Sequence, residues 1–63
     1  MTKIFTDAAL ARYSLPELKV LFRNAHEEFD GSPLGSVERR IAAANMQNLA
    51  RAMATREKHA PRP

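Results

Sequence analysis

The sequence predicts an all-α protein in which a short N-terminal helix is followed by an antiparallel helical hairpin. A capping-box motif, from Ser14 to Glu17, opens a run of apolar residues at three- and four-residue intervals. A later segment, residues 37–57, contains no proline or glycine and is rich in alanine, the residue with the highest helix propensity. Residues 30–36 between them are a cluster of helix breakers. Two amphipathic helices joined by so short a turn pack antiparallel most economically.

The first helix is predicted at about residues 6–13. Thr6 is a suitable N-cap, and Asp7 places a negative charge at the positive end of the helix dipole. A helix of this length is not stable alone, so it must dock on the rest of the chain. The side chains available for that docking are Ile4, Phe5, Leu10 and Tyr13.

The second helix is predicted at about residues 15–29, beginning at the capping box. Its apolar residues occupy one arc at about 100° per residue, and they are Leu15, Leu18, Leu21, Phe22, Ala25 and Phe29. Val20 lies outside this arc among polar neighbours. We therefore expect Val20 to cover the first helix or to contact a partner.

The last helix is predicted at about residues 36–57, with two serines available to begin it. Ser36 follows Gly35 and is the favoured N-cap, while Ser32, which precedes Pro33, is the alternative. The buried arc of this helix consists of Ile41, Ala42, Leu49, Ala52 and Met53, with Met46 at its edge. Residues 1–58 then form a single domain, and residues 59–63 are expected to be a disordered tail.

Asn45 falls inside the apolar arc of the last helix, which is unusual for a polar side chain. A buried asparagine there could set helix register or oligomeric state. The favoured interpretation is that Asn45 lies at the edge of the interface and meets water, because a buried polar group costs stability unless it is hydrogen-bonded.

The size and composition of the chain predict self-association. Its 63 residues can bury only a thin core, and domains of this size usually need a disulfide, a metal or a partner. The chain contains no cysteine, and His26 and His59 lie far apart without a ligand pattern, so neither a metal nor a cofactor is expected. We therefore predict a homodimer that packs as a helical bundle. The candidate contacts with the second copy or another protein partner are Val20, Asn45, Met46, Leu49 and Met53. For Met46, Leu49 and Met53, ordinary core packing against the preceding long helix is the favoured interpretation.

The charge is asymmetric along the chain, and the basic excess lies on the last helix. Lysine and arginine number four against five acids in residues 1–31, and six against two in residues 32–63, giving a net charge of +3. The side chains of Arg40, Gln47, Arg51 and Lys58 fall within about 40° of one another, opposite the buried arc. This basic stripe suits contact with nucleic acid or an acidic partner. Simple solvation is favoured, because charged helix faces are normally solvated and no aromatic residues are interleaved for base stacking.

No catalytic arrangement is predicted. His26 and Asp30, four residues apart, could pair or share a metal, but no third ligand lies nearby. No nucleophile accompanies a base, and the chain is too short to enclose a pocket of the usual ~300 Å³. The N-terminus lacks the apolar run of a signal peptide, and no stretch reaches the ~20 apolar residues of a membrane span. The expectation is a soluble, cytoplasmic protein that is not an enzyme and binds no membrane.

The run from Tyr13 to Phe22, then residues 35–40 and the alanine-rich helix ending near Met53, resembles short uncharacterised helical-hairpin proteins carried on proteobacterial plasmids and integrative elements. The likeness covers most of residues 4–54, and its motifs are caps and apolar spacings. It implies an accessory, mobile-element setting and no mechanism. The leading hypothesis is an interaction module acting as an adaptor or regulator; the alternatives are a nucleic-acid-binding accessory protein and a small inhibitor of a larger target.

Overall fold

In the computed structural model, which describes residues 4–58, the chain forms three helices, and the second and third of these form a hairpin. Helix α1 spans Asp7–Leu10, α2 spans Leu15–Gly31 and α3 spans Val37–Lys58. Helix α3 packs along α2, and α1 contacts α3. The molecule is elongated, about 44 × 20 × 14 Å. The predicted all-α class, the short first helix and the hairpin are thereby confirmed. The predicted disordered tail, residues 59–63, lies outside the described residues.

Helix α1 ends three residues earlier than predicted because Ser14 must be extended to act as the N-cap of α2. Thr6 caps α1 as expected, its Oγ1 accepting from the Ala9 N–H at 3.1 Å. Beyond Leu10 the chain tightens into a turn in which the Tyr13 N–H donates to the Leu10 carbonyl at 3.1 Å. Ser14 is then fully extended, with φ −74° and ψ 165°. An N-cap residue requires that extended conformation, so helix cannot continue through Ser14.

The capping box that begins α2 is complete. The Ser14 N–H donates to Glu17 Oε1 at 2.8 Å, and the Glu17 N–H donates to Ser14 Oγ at 3.4 Å. The hydrogen bond from the Ser14 N–H to the carboxylate, together with the Ser14 hydroxyl, stabilises the ionised form and lowers the pKa of Glu17. At its other end α2 continues to Gly31, two residues beyond the predicted end.

Ser36, not Ser32, begins α3. The Ser36 Oγ accepts from the Arg39 N–H at 3.1 Å, and its carbonyl accepts from the Arg40 N–H. Gly35 precedes it in the left-handed region, at φ +78°. Ser32 instead ends α2, where its hydroxyl donates to the Glu28 carbonyl at 2.6 Å. The alternative start at Ser32 is therefore wrong, since that side chain faces the preceding helix.

The core is thin, as the chain length requires. Among residues 4–58, five apolar residues are buried, namely Leu10, Leu18, Ala25, Ala42 and Leu49. Partly buried side chains packed against this core include Phe5, Phe22, Met46 and Met53. Ile4, expected to help dock the first helix, is instead 54% exposed. Helix α1 therefore contributes one fully buried side chain, Leu10.

Candidate functional site

Two asparagines of α3 hold the backbone of the N-terminal segment. The Phe5 N–H donates to Asn45 Oδ1 at 2.8 Å, and Asn48 Nδ2 donates to the Phe5 carbonyl at 2.9 Å. Asn45 is only 2% exposed. The favoured interpretation, that Asn45 lies at an edge and meets water, is wrong, because the segment before α1 covers it and satisfies its oxygen.

Two arginines of α3 contact α1 and the turn that follows it. Arg51 lies 3.5 Å from the Asp7 carboxylate and also donates to Asn48 Oδ1 at 2.8 Å. Arg56 donates to the carbonyl of Ala11, just after α1. The N-terminal segment and α1 therefore occupy one side of α3, the side that carries Asn45, Asn48, Arg51 and Arg56.

This docking removes two residues from the predicted partner surface. Leu49 is fully buried within the single chain, and Asn45 is committed to Phe5, so neither is available to a second protein. Val20 remains 48% exposed, while Met46 and Met53 are partly buried. Two more apolar side chains, Leu34 and Val37, lie exposed at the hairpin turn.

The other side of the hairpin carries a half-buried apolar surface, which we call the open face. The residues of α2 that form it are Leu15, Phe22 and Phe29, which are seven residues apart and so lie along one line of the helix. From α3 it takes Ala43, Met46, Ala50 and Met53. At about 100° per residue this α3 set lies roughly opposite the side that holds α1. Ala50 is exposed and the others are partly buried, whereas Leu18 and Leu49 under α1 are fully buried.

Arg39 lies at one end of the open face, where it contacts the end of α2. Its guanidinium lies 3.9 Å from the centre of the Phe29 ring, a cation–π contact. Its Nη1 also donates to the carbonyls of Phe29 and Ser32, both at 3.1 Å. Arg39 thus satisfies carbonyls at the C-terminal end of α2 and joins the two helices of the hairpin at the turn.

The basic stripe is exposed but is not of one sign. Arg40, Gln47, Arg51 and Lys58 all lie on the surface. The fold places Asp7, far away in sequence, beside Arg51. The stripe therefore contains an acid that inspection of α3 alone does not reveal.

An open groove of about 420 Å³ lies between α1 and α3. Leu10, Ala11 and Ala52 supply apolar surface there, while Asp7, Arg51, Thr55 and Arg56 supply polar groups. The volume is larger than the chain length suggested. The groove is shallow and solvent-accessible, with the Asp7 and Arg51 side chains largely exposed at its rim.

No cluster of potential metal ligands forms among residues 4–58. His26 Nδ1 and Asp30 Oδ2 lie 3.2 Å apart on the surface of α2, so the two residues pair as their spacing allowed. No group of three potential metal ligands converges in the described part of the chain. None of the three helices is long and apolar enough to cross a bilayer.

Sequence reasoning missed the residues that organise this surface. The sequence predicted no contact for Asn48, Arg56 or Arg39. Their partners are backbone carbonyls of Phe5, Ala11, Phe29 and Ser32. A backbone acceptor leaves no mark in the sequence, so no residue pattern announces these contacts.

Fold and surface together define a small all-α helical-hairpin protein with a half-buried apolar face. Comparison of the chain with protein-family models, with curated proteins and with solved structures finds no match.

Proposed function

We propose that this chain is a small, non-enzymatic protein–protein interaction module that self-associates through its open face and acts as an adaptor or regulator. The observation that carries the proposal is the contrast in burial between the two sides of the hairpin. The side under α1 buries Leu18 and Leu49 fully, whereas the open face keeps large apolar side chains such as Phe22, Met46 and Met53 partly in contact with water.

The energetics of a short chain support a partner on that face. Burial of apolar surface contributes about 25 cal/mol per Å², and a half-exposed Phe or Met realises only part of this. Domains below about 70 residues seldom gain enough from a single core without an additional staple. A second helical layer over the open face would complete a four-helix arrangement of the usual kind.

Sedimentation equilibrium of the purified chain tests the proposal across low to high micromolar concentrations. We expect a reversible monomer–dimer equilibrium. A chain that stays strictly monomeric while unfolding cooperatively would overturn self-association. A matched pair of variants localises the face: Phe22→Ser on the open face should weaken the dimer, whereas Val20→Ser on the outer surface of α2 should not.

Nucleic-acid binding is the second candidate, supported by the exposure of Arg40, Gln47 and Lys58 along one line of α3. It has less support than self-association because Asp7 partly neutralises Arg51. Titration of a labelled duplex and a labelled single strand at two salt concentrations tests it. Binding that weakens steeply with salt and is lost in Arg40→Gln would favour this function, and no binding at low salt would exclude it.

A further inference from the structure

We infer that the partner on the open face is a second copy of this chain whose α3 lies antiparallel to the first α3, about a two-fold axis at the level of residue 48. This inference rests on the self-association proposed above and specifies its geometry. It follows from the order of side chains along one stripe of α3 and from the side of α3 that α1 leaves uncovered.

One row of side chains on α3, which we call the seam, follows a heptad-like spacing. Intervals of four and three residues alternate along it, and its members are Arg39, Ala43, Met46, Ala50, Met53 and Glu57. This spacing keeps side chains on one seam between two helices. None of these residues makes any of the contacts that hold the N-terminal segment and α1. Ala50 and Glu57 are exposed and the other four members are partly buried, so part of the seam is accessible in the single chain.

Large and small side chains alternate along the seam, so that they pair with each other when two copies run antiparallel. In an antiparallel pair centred at residue 48, Met53 lies opposite the partner's Ala43, and Met46 lies opposite the partner's Ala50. Each layer then contains one large and one small side chain, so the helix axes keep an even separation. A parallel pair would place methionine on methionine and alanine on alanine, alternating crowded layers with gaps.

Charge along the seam is complementary in the same register. The acidic end, Glu57, lies opposite the partner's Arg39, with the partner's Arg40 adjacent. Because the axis is two-fold, the same contact occurs at both ends of the interface. A parallel pair would instead bring Arg39 to Arg39 and Glu57 to Glu57, which is repulsive.

The flank of the seam tolerates this arrangement. Arg40, Gln47 and Ala54 follow the seam on its solvent side. In the antiparallel register Arg40 lies near the partner's Ala54, and Gln47 meets the partner's Gln47 at the axis. Arg51 lies further around the helix. Lys58 lies on the same line as Arg40 but falls beside the partner's Ser36, so the basic stripe does not oppose itself across the interface.

Charge reversal tests the register. Arg40→Glu and Glu57→Arg should each raise the dimer dissociation constant by about tenfold, since each reversal acts at both ends of the interface. The double variant should dimerise more tightly than Glu57→Arg alone, because the introduced acid at position 40 then lies near the introduced base at position 57. Arg23→Glu is the control, with the same charge change at an exposed position of α2 away from the open face, and should leave the constant nearly unchanged.

A charge in the central layer tests the seam itself. Ala50→Glu should abolish the dimer at concentrations where the natural chain dimerises. Thr55→Glu, equally exposed on α3 but on the side facing α1, should not. Helical circular dichroism of both variants shows whether each still folds, so that loss of the dimer is separated from loss of the fold.

Cysteine cross-linking tests the direction, since the chain contains no cysteine of its own. Under mild oxidation the variant with both Ala43→Cys and Met53→Cys should form a covalent dimer, and each single variant should not. Cross-linking of the single variants would indicate a parallel pair and overturn the inference. A dimer unaffected by Ala50→Glu and by charge reversal would also overturn it while leaving self-association intact, whereas a strictly monomeric natural chain would overturn both.

Discussion

Asn45 is a buried polar side chain of α3, and its amide oxygen is hydrogen-bonded. It lies among apolar residues of α3 at 2% exposure, and its Oδ1 receives the Phe5 N–H. Within residues 4–58, no buried side-chain nitrogen or oxygen is left without a hydrogen-bond partner. The cost of burying the amide is therefore offset by the bonds that bring the N-terminal segment onto α3.

Replacing Asn45 by alanine should destabilise the fold by about 1–3 kcal/mol, because the Phe5 N–H would lose its acceptor in a part-buried position. Urea unfolding measures the effect. Asn24→Ala, the same substitution at an exposed position of α2, is the control and should change stability by no more than about 0.5 kcal/mol. Equal effects from the two variants would contradict a structural role for the Asn45 amide.

The stability of the capping box depends on pH through the ionisation of Glu17. Hydrogen bonds from Ser14 lower the pKa of Glu17 in the folded state. A carboxyl whose folded pKa lies below its unfolded value contributes stability above the unfolded pKa and loses it as the pH falls through the folded pKa. Acidification from neutral pH should therefore weaken the start of α2.

The variant Glu17→Gln keeps an acceptor for the Ser14 N–H but cannot titrate. Its thermal midpoint should fall less than that of the natural chain when the pH is lowered into the acid range. Glu27→Gln, which removes another exposed carboxyl of α2, should leave the natural pH dependence largely intact. If both variants behave alike, the capping box is not the source of the acid sensitivity.

At the scale of the elements, the hairpin depends on how α2 ends and α3 begins. Gly31 is the last residue of α2, and a side chain there would meet no atom within 4 Å. Gly35 has φ +78°, a conformation that residues with a Cβ rarely adopt. The two glycines of the turn therefore have opposite roles: the backbone requires glycine at Gly35 and does not require it at Gly31.

Alanine substitutions should change stability in opposite directions. Gly35→Ala should cost about 1 kcal/mol, because alanine is strained at positive φ. Gly31→Ala should stabilise by about 0.4–1 kcal/mol, because it reduces the entropy of the unfolded chain. Thermal unfolding of the two variants at equal concentration measures both. A loss of stability in Gly31→Ala would contradict this account of the turn.

At the scale of the whole molecule, stability should depend on protein concentration. A partner that binds only the folded chain stabilises it by mass action, so the thermal midpoint of a dimer rises with concentration. We expect this rise for the natural chain and its absence for Ala50→Glu. A midpoint independent of concentration in the natural chain would contradict the proposed dimer.

The elements were predictable from the sequence because their signals are local. Thr6, the Ser14–Glu17 capping box and Ser36 each act on backbone groups within four residues, and all three caps form as predicted. The apolar arc of α2 likewise follows from the helical period alone, and its members Leu18 and Ala25 are buried. The end of α1 was mispredicted by three residues, because the extended geometry required at Ser14 outweighs local helix propensity.

The sequence by itself determined that this protein is a capped helical hairpin with a thin core and a basic last helix. Only the tertiary structure decided which side of that helix is covered. The N-terminal segment lies on Asn45 and Asn48, and α1 brings Asp7 beside Arg51. These contacts join residues forty or more positions apart, and those of the two asparagines are made to backbone groups that every sequence possesses. No periodicity encodes such pairings, so the position of the open face emerges only when the chain is folded.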